Sequence, residues 1–564
     1  MLSTQSGEEA CGLHCATTIH YMISKYTKTA GLLSLSLACI SCSNSTSTSD
    51  VDDIIDIGKP TEKTDMPEDY YTGGELGTVF NLSSAAYEQP APAIEKQGLS
   101  HAFSMGEYFF EKPFTQTEEP FKGLGPLYIR SSCQHCHLGY GHGKRQTKYD
   151  SNQQGNGYIL MITDENDIVV QSFGWVAMGK ATAPFKPQFD EKKVKIDWNE
   201  YTDEWGNKFD DGETYSLIYP EVTLEEGCIY GKLIDKDGKE VPMSKAKVRL
   251  ESTIGFIGTG LIDAIPDEDI LQQYRNEGKY ATLNPQFWNN DTKDFVKNPD
   301  GTLAVENGGI VYKFDYALDR ASVMSDASFW EVQNVTRDDF RSHYIPKEYW
   351  QFAAQDPEVT SKFYEYYPEW NKTGDPAKDI ITFGNATDLP VEMKESDYIN
   401  YMVWHRGIGI PAARNTTTED FKEGKRLFSQ IGCASCHRPT WTTGEDKIRD
   451  PYNRFSSDDT RMVHYPNQKI WPYTDLVQHR LFMKNDLRTG WCKTAPLWGR
   501  GLMQICAGHS DRLHDCRARN TLEAIMWHGC CSEGGKSDAH WAVENFRKLS
   551  KEQRQQVIKF VDSI

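Results

Sequence analysis

Two pentapeptides constrain this chain more than anything else in it. Cys133–His137 reads CQHCH and Cys433–His437 reads CASCH, so the pattern C-x-x-C-H occurs twice, three hundred residues apart. A C-x-x-C pair alone serves as a redox dithiol or as half of a zinc site. A histidine directly after the second cysteine, present twice, predicts c-type haem instead. The two thiols add across the porphyrin vinyl groups, and the next residue brings its imidazole under the iron. On this reading Cys133, Cys136 and His137 hold one haem, and Cys433, Cys436 and His437 hold the other.

The flanks carry helical signals. TTEDFKEGKRLFSQ ahead of the second motif offers Thr417 or Thr418 as a cap, acids in the first turn, and Phe421, Leu427 and Phe428 at helical spacing. SKEQRQQVIKFVDSI at the end of the chain begins with Ser550 as a cap and sets Val557, Ile558, Phe560 and Val561 on one side. These two helices resemble the first and last helices of a cytochrome c domain. The haem regions also look duplicated, with MGEYFF (Met105–Phe110) against EGKRLF (Glu423–Phe428) and TIGFIGTGL (Thr253–Leu261) against TAPLWGRGL (Thr494–Leu502). The expected fold is mainly α, with two cytochrome c-like haem domains and a strand-rich insertion in the first. Residues 1–50 read as leader and tether, 51–94 as linker, 95–274 as the first haem domain with its β-rich insertion at about 155–252, 275–414 as an irregular connection, and 415–564 as the second haem domain.

Composition narrows the setting. A formal charge of −20, from 81 acidic against 61 basic side chains, argues against nucleic acid and suits a small cationic protein partner or simple solubility. The stretch AGLLSLSLACIS (residues 30–41) is too short to span a membrane and has the form of a secretory segment, with Met22 as the expected start. Cys39 and Cys42 are alternative lipidation sites, and plain signal cleavage is the other outcome. Each version exports the chain, to a periplasm or to a lipid anchor on a bacterial envelope. Of 14 cysteines, Cys228, Cys492, Cys506, Cys516, Cys530 and Cys531 lie outside the leader and the motifs. The crowding of the last five fits disulfides in an oxidising compartment, with Cys506–Cys516 the pair suggested by its short loop.

Taken together, GLGPLYIRSSCQHCH, GTGLIDAIPDEDIL, IGCASCHRPT, TAPLWGRGL, LHDCRAR and LEAIMWHG make the chain similar to the bacterial dihaem oxidoreductases, also labelled thiol oxidoreductases. These are relatives of the dihaem cytochrome c peroxidases. The family usually has glycine where Cys516 stands, and LVQHRLFMKND departs from its usual loop. The resemblance implies reduction of hydrogen peroxide, with electrons from a small redox protein or quinol-linked donor. The alternatives are a non-enzymatic dihaem electron carrier, or oxidation of an organic or protein substrate through high-valent iron. It implies one relay haem and one haem open to peroxide, and it raises calcium as a further cofactor. His528 follows His514 at the fourteen-residue spacing of the peroxidases' distal methionine, which predicts a bis-histidine second haem, His437 with His528. Met526 and Met483 are the alternative ligands. His142 lies too near His137 to cross the first haem, so that iron is expected to be open. The peroxidases' distal glutamate and glutamine point to Glu268 as acid–base and Gln272 beside it. Trp471, Trp491, Trp498 and Trp527 are candidate relays. The HRG turn at His405–Gly407 and the arginines of CRAR are candidate partners for haem propionates.

Overall fold

The computed structural model describes residues 66–326, 329–532 and 534–564, so the leader expectations at Met22, Cys39 and Cys42 lie outside the described residues. Helix α1 (Ser100–Glu111) precedes the first motif. Strands β1 (Tyr158–Thr163), β2 (Val194–Tyr201), β3 (Leu217–Leu224) and β4 (Lys247–Ser252) follow it. β1 pairs antiparallel with β4, and β2 pairs antiparallel with β3. Then come α2 (Asp267–Glu277), α3 (Lys347–Gln355), α4 (Pro357–Tyr366), α5 (Pro376–Gly384) and α6 (Glu395–Gly407). Helix α7 (Glu419–Gln430) leads into the second motif, and the short antiparallel pair β5 (Gln478–Arg480) and β6 (Trp491–Lys493) follows. Helices α8 (Thr521–Trp527) and α9 (Lys551–Ser563) lie in the last part of the chain.

The local chemistry of these helices is direct. Thr418 caps α7 by accepting from the Phe421 amide, and Ser550 and Gln553 form a reciprocal capping box on α9. Phe421, Leu427 and Phe428 are buried on α7, as are Val557, Phe560 and Val561 on α9. The two helices cross where Gly424 lies against the Gln556 carbonyl, so closely that a Cβ there would overlap it. The same device recurs upstream. Gly106 of α1 lies against the Asn400 carbonyl and Trp404 of α6, again with no room for a Cβ.

The expectation of a mainly α chain of two cytochrome c-like domains is corrected. Helix makes up 32% and strand 15% of the structure. The strands form many small two-stranded sheets, and the described residues fall within one compact unit, Ile55–Ile564. The physical reason is visible in the packing. Arg406 of α6 is buried and joins Asp263, in the short helix Thr259–Asp263, to Asp446, which lies beyond the second motif. One core holds side chains from Ala86 to Ala507, and the separate core around the second motif, built on α7, α8 and α9, takes in Phe209, Tyr215 and Leu217 from the strand-rich region.

The region 275–414, expected to be irregular, contains α3 to α6. The sequences QDPEV and GDPAK start helices there. Asp356 and Asp375 cap α4 and α5 by accepting from Glu358 and Ala377 amides, and a proline takes the first helical position in each. No helix among the described residues is long and apolar enough to cross a membrane.

Candidate functional site: two cavities

Each pentapeptide folds into a single tight turn, and in each the histidine amide donates to the carbonyl of the first cysteine, at 3.1 Å for His137 and 2.9 Å for His437. That turn gathers both cysteines and the histidine on one wall. Cys133, Cys136 and His137 all line a cavity of about 710 Å³, and Cys433, Cys436 and His437 all line a second of about 680 Å³. Both volumes fall in the range of cofactor pockets.

The electrostatics separate the two readings of C-x-x-C. A working redox dithiol needs a thiol whose pKa is lowered. Here burial, with the neighbouring thiol adding to it, pushes Cys133 and Cys433 up to about 12. Both thiols are protonated, and both stay partly exposed on their cavity walls. Burial also depresses His137 and His437 to about 4, so both imidazoles are neutral, the form that binds a metal.

Cavity two contains an opposed histidine pair. His437 Nδ1–H donates to the Tyr473 carbonyl at 3.0 Å, and His528 Nδ1–H donates to the Ala524 carbonyl at 2.7 Å. Each bond fixes the tautomer that leaves Nε2 as a lone-pair donor. The ring centroids lie 6.3 Å apart with 50° between planes, and both residues line the cavity. Two metal–nitrogen bonds of about 2.0–2.1 Å fit within that gap. His528 holds this position because it closes α8, whose cap Asn520 accepts from the Glu523 amide. Met526 and Met483 are buried away from the cavity wall.

Cavity one differs. His137 is the only histidine in its described lining, and Met161 is its only methionine. Its wall is rich in polar groups, among them Glu251, Glu331, Gln333 and Tyr401. Glu331 accepts from Arg320 at 2.8 Å. Glu268 and Gln272 line neither cavity. Glu268 is exposed in the first turn of α2 and pairs with Arg275 at 2.6 Å, and Gln272 is exposed and bonds Asn276. The helix N-terminus accounts for those acids without any active-site role. The far end of the same helix is the part that reaches a cavity, since Glu277 lines cavity two.

Other expectations are relocated too. Arg406 is taken by Asp263 and Asp446, Arg517 grips Asp515, and Arg519 pairs with Glu523. The arginines on the wall of cavity two are Arg500 and Arg512. His405 is buried in the core beside Phe256, at 4.8 Å between ring centroids, and Phe256 also touches His137. Trp491 lines cavity one, whereas Trp527 stacks on Tyr201 at 4.8 Å. Tyr316, which sequence reasoning passed over, lines both cavities. It donates its hydroxyl proton to His142 Nε2 at 3.0 Å, because His142 Nδ1–H is committed to the Gly143 carbonyl. No disulfide forms among the described residues. Cys516 bonds the Gly143 carbonyl at 3.1 Å, while Cys506 lies near the Ser83 carbonyl.

Two walled cavities thus each present two cysteines and one imidazole from a single turn. Residues 377–564 match the family model described as "Di-haem oxidoreductase, putative peroxidase". The matched segment contains the second motif and His528, and the first motif lies before it. No curated protein and no solved structure matches the chain.

Proposed function

We propose that the chain is an exported dihaem c-type oxidoreductase that reduces hydrogen peroxide to water, drawing electrons from a small redox protein or quinol-linked donor. The observation that carries this reading is the asymmetry of the cavities: an imidazole faces the proximal histidine in cavity two and none does in cavity one. Cys133 and Cys136 would tether one haem and Cys433 and Cys436 the other, with His137 and His437 as proximal ligands. Bound haem supplies one-electron chemistry and, where a position is open, a place for peroxide.

The chain's own residues do the rest. His528 closes cavity two against small ligands, which makes it the relay site. In cavity one, Glu251 and Glu331 replace Glu268 as the groups able to take a proton from the inner peroxide oxygen and return it to the leaving one. Arg320 holds Glu331 in place, and Gln333 supplies an amide dipole. Overall, peroxide takes two electrons and two protons and leaves as two waters. Tyr316 is the side chain common to both walls and joins the sites.

The test has three readouts. A pyridine haemochrome assay should count two haems per chain. Electron paramagnetic resonance of the ferric protein should show one high-spin and one low-spin centre. Peroxide should then be consumed at the expense of a reduced cytochrome. Two low-spin centres and no turnover would favour the second reading, an electron carrier in which Met161 closes cavity one.

A further inference from the structure

The partition between the cavities holds a cluster that the haem reading leaves unused. Leu487, Thr489 and Trp491 line cavity one, while Cys492 and His514 line cavity two. Within this wall Asp486, Cys492 and His514 each present one ligand atom, and the three atoms lie within 4.8 Å of one another. His514 Nε2 is 3.0 Å from Asp486 Oδ1, and Cys492 Sγ is 3.6 Å from His514 Nδ1. These contacts fall on opposite nitrogens of the ring, and an ion takes only one of them. Ligand atoms around a tetrahedral ion sit roughly 3.3–3.8 Å apart, so Cys492 and His514 Nδ1 are already in range and the Asp486 carboxylate closes in from within 4.8 Å. The side chains of Asp486 and His514 are 8% and 2% exposed, and Asp486 Oδ2 is buried with no hydrogen-bond partner among the described residues. The nearby Asp515 offers no substitute, because Arg517 grips it at 2.7 Å.

We propose that Asp486, Cys492 and His514 form a mononuclear site for a divalent transition metal of the zinc type, set in the wall between the two cavities. One thiolate, one imidazole and one carboxylate suit zinc better than calcium or magnesium, which take oxygen ligands. Binding forms one metal–sulfur, one metal–nitrogen and one metal–oxygen bond, and the Cys492 thiol proton leaves to solvent with any proton on the ligating nitrogen. A water completes the shell. The ion would pin the loop between β5 and β6 to the segment around His514, and so hold the partition that Tyr316 packs against, its ring 5.9 Å from His514.

The inference stands apart from the haem reading, since zinc and haem are counted separately. Haem-loaded protein is dialysed against zinc and then against buffer, and its metals are measured. The expected result is about one zinc per chain, a sulfur neighbour in its X-ray absorption spectrum, and at least a tenfold weaker zinc affinity in Cys492→Ser and His514→Gln. Cys531→Ser, which removes the thiol of the more exposed Glu204–Cys531–His540 group, should bind zinc as the native chain does. Zinc at a small fraction of the chain, a shell without sulfur in the native protein, or zinc lost from Cys531→Ser alone would overturn the assignment, whatever the haem count.

Discussion

The proposed division of labour rests on His528. His528→Ala leaves the four cysteines proposed to attach haem and both proposed proximal histidines in place, so the haem count should remain two. The low-spin signal of the second site should become high-spin. Peroxide turnover with a cytochrome donor should fall by roughly tenfold, equivalent to about 1.4 kcal/mol in the barrier. An unchanged low-spin signal would remove His528 from the ligand set. Glu277 gives a second prediction. Burial, with Asp475 adding to it, pushes its pKa up to about 8. Between the unfolded value of about 4.3 and that folded value, the native chain binds more protons than the unfolded one. Stability therefore falls as pH rises through this window and is fully present below it. Urea midpoints measured across the range should decline, and Glu277→Gln should flatten the decline. At this scale the grouping of Cys133, Cys136 and His137, and of Cys433, Cys436 and His437, on one cavity wall each was legible in the sequence, because a fixed short spacing keeps the three in one turn. Glu268 was misleading for the opposite reason. A carboxylate's role depends on which wall it faces, and Glu251 and Glu331 reach cavity one through long-range packing that no local pattern records.

At the scale of elements, two helix crossings carry the motifs, and both depend on a glycine. Gly424→Ala places a methyl group against the Gln556 carbonyl of α9, and Gly106→Ala places one against the Asn400 carbonyl of α6. Each forces a helix pair apart, and each should cost about 1–3 kcal/mol. Chemical denaturation would show this as a lower midpoint with unchanged slope. Values within a few tenths of the native protein would mean that the helices separate freely. The caps of α7 and α9 were readable because Thr418 and Ser550 stand just before amphipathic runs. Prolines follow Asp356 and Asp375 within the stretch expected to be irregular, yet each sits where a helix begins, since a first-turn proline gives up no internal hydrogen bond.

At the scale of the whole molecule, the duplication of motifs did not become a duplication of domains. The core around the second motif is completed by Phe209, Tyr215 and Leu217 from the strand-rich region, and the buried Arg406 joins elements on either side of that motif. Thermal unfolding of residues 66–564 should therefore follow one cooperative transition. Limited proteolysis within 275–414 should not release two folded halves. Two calorimetric peaks, or a stable fragment carrying only the second motif, would contradict this. The paired segments MGEYFF and EGKRLF both lie on helices that precede a motif, and each sets its glycine at a helix crossing. They were silent on how many cores those pieces share, because that depends on contacts between residues hundreds of positions apart.

The place of Cys133 and Cys433 also bears on how the protein is made. Each is only partly exposed and sits on the wall of its own cavity, so anything fastened to its sulfur has to come in through that cavity. On the proposed reading, loading and closure compete for one entrance, and a chain whose cavity collapsed first would stay empty.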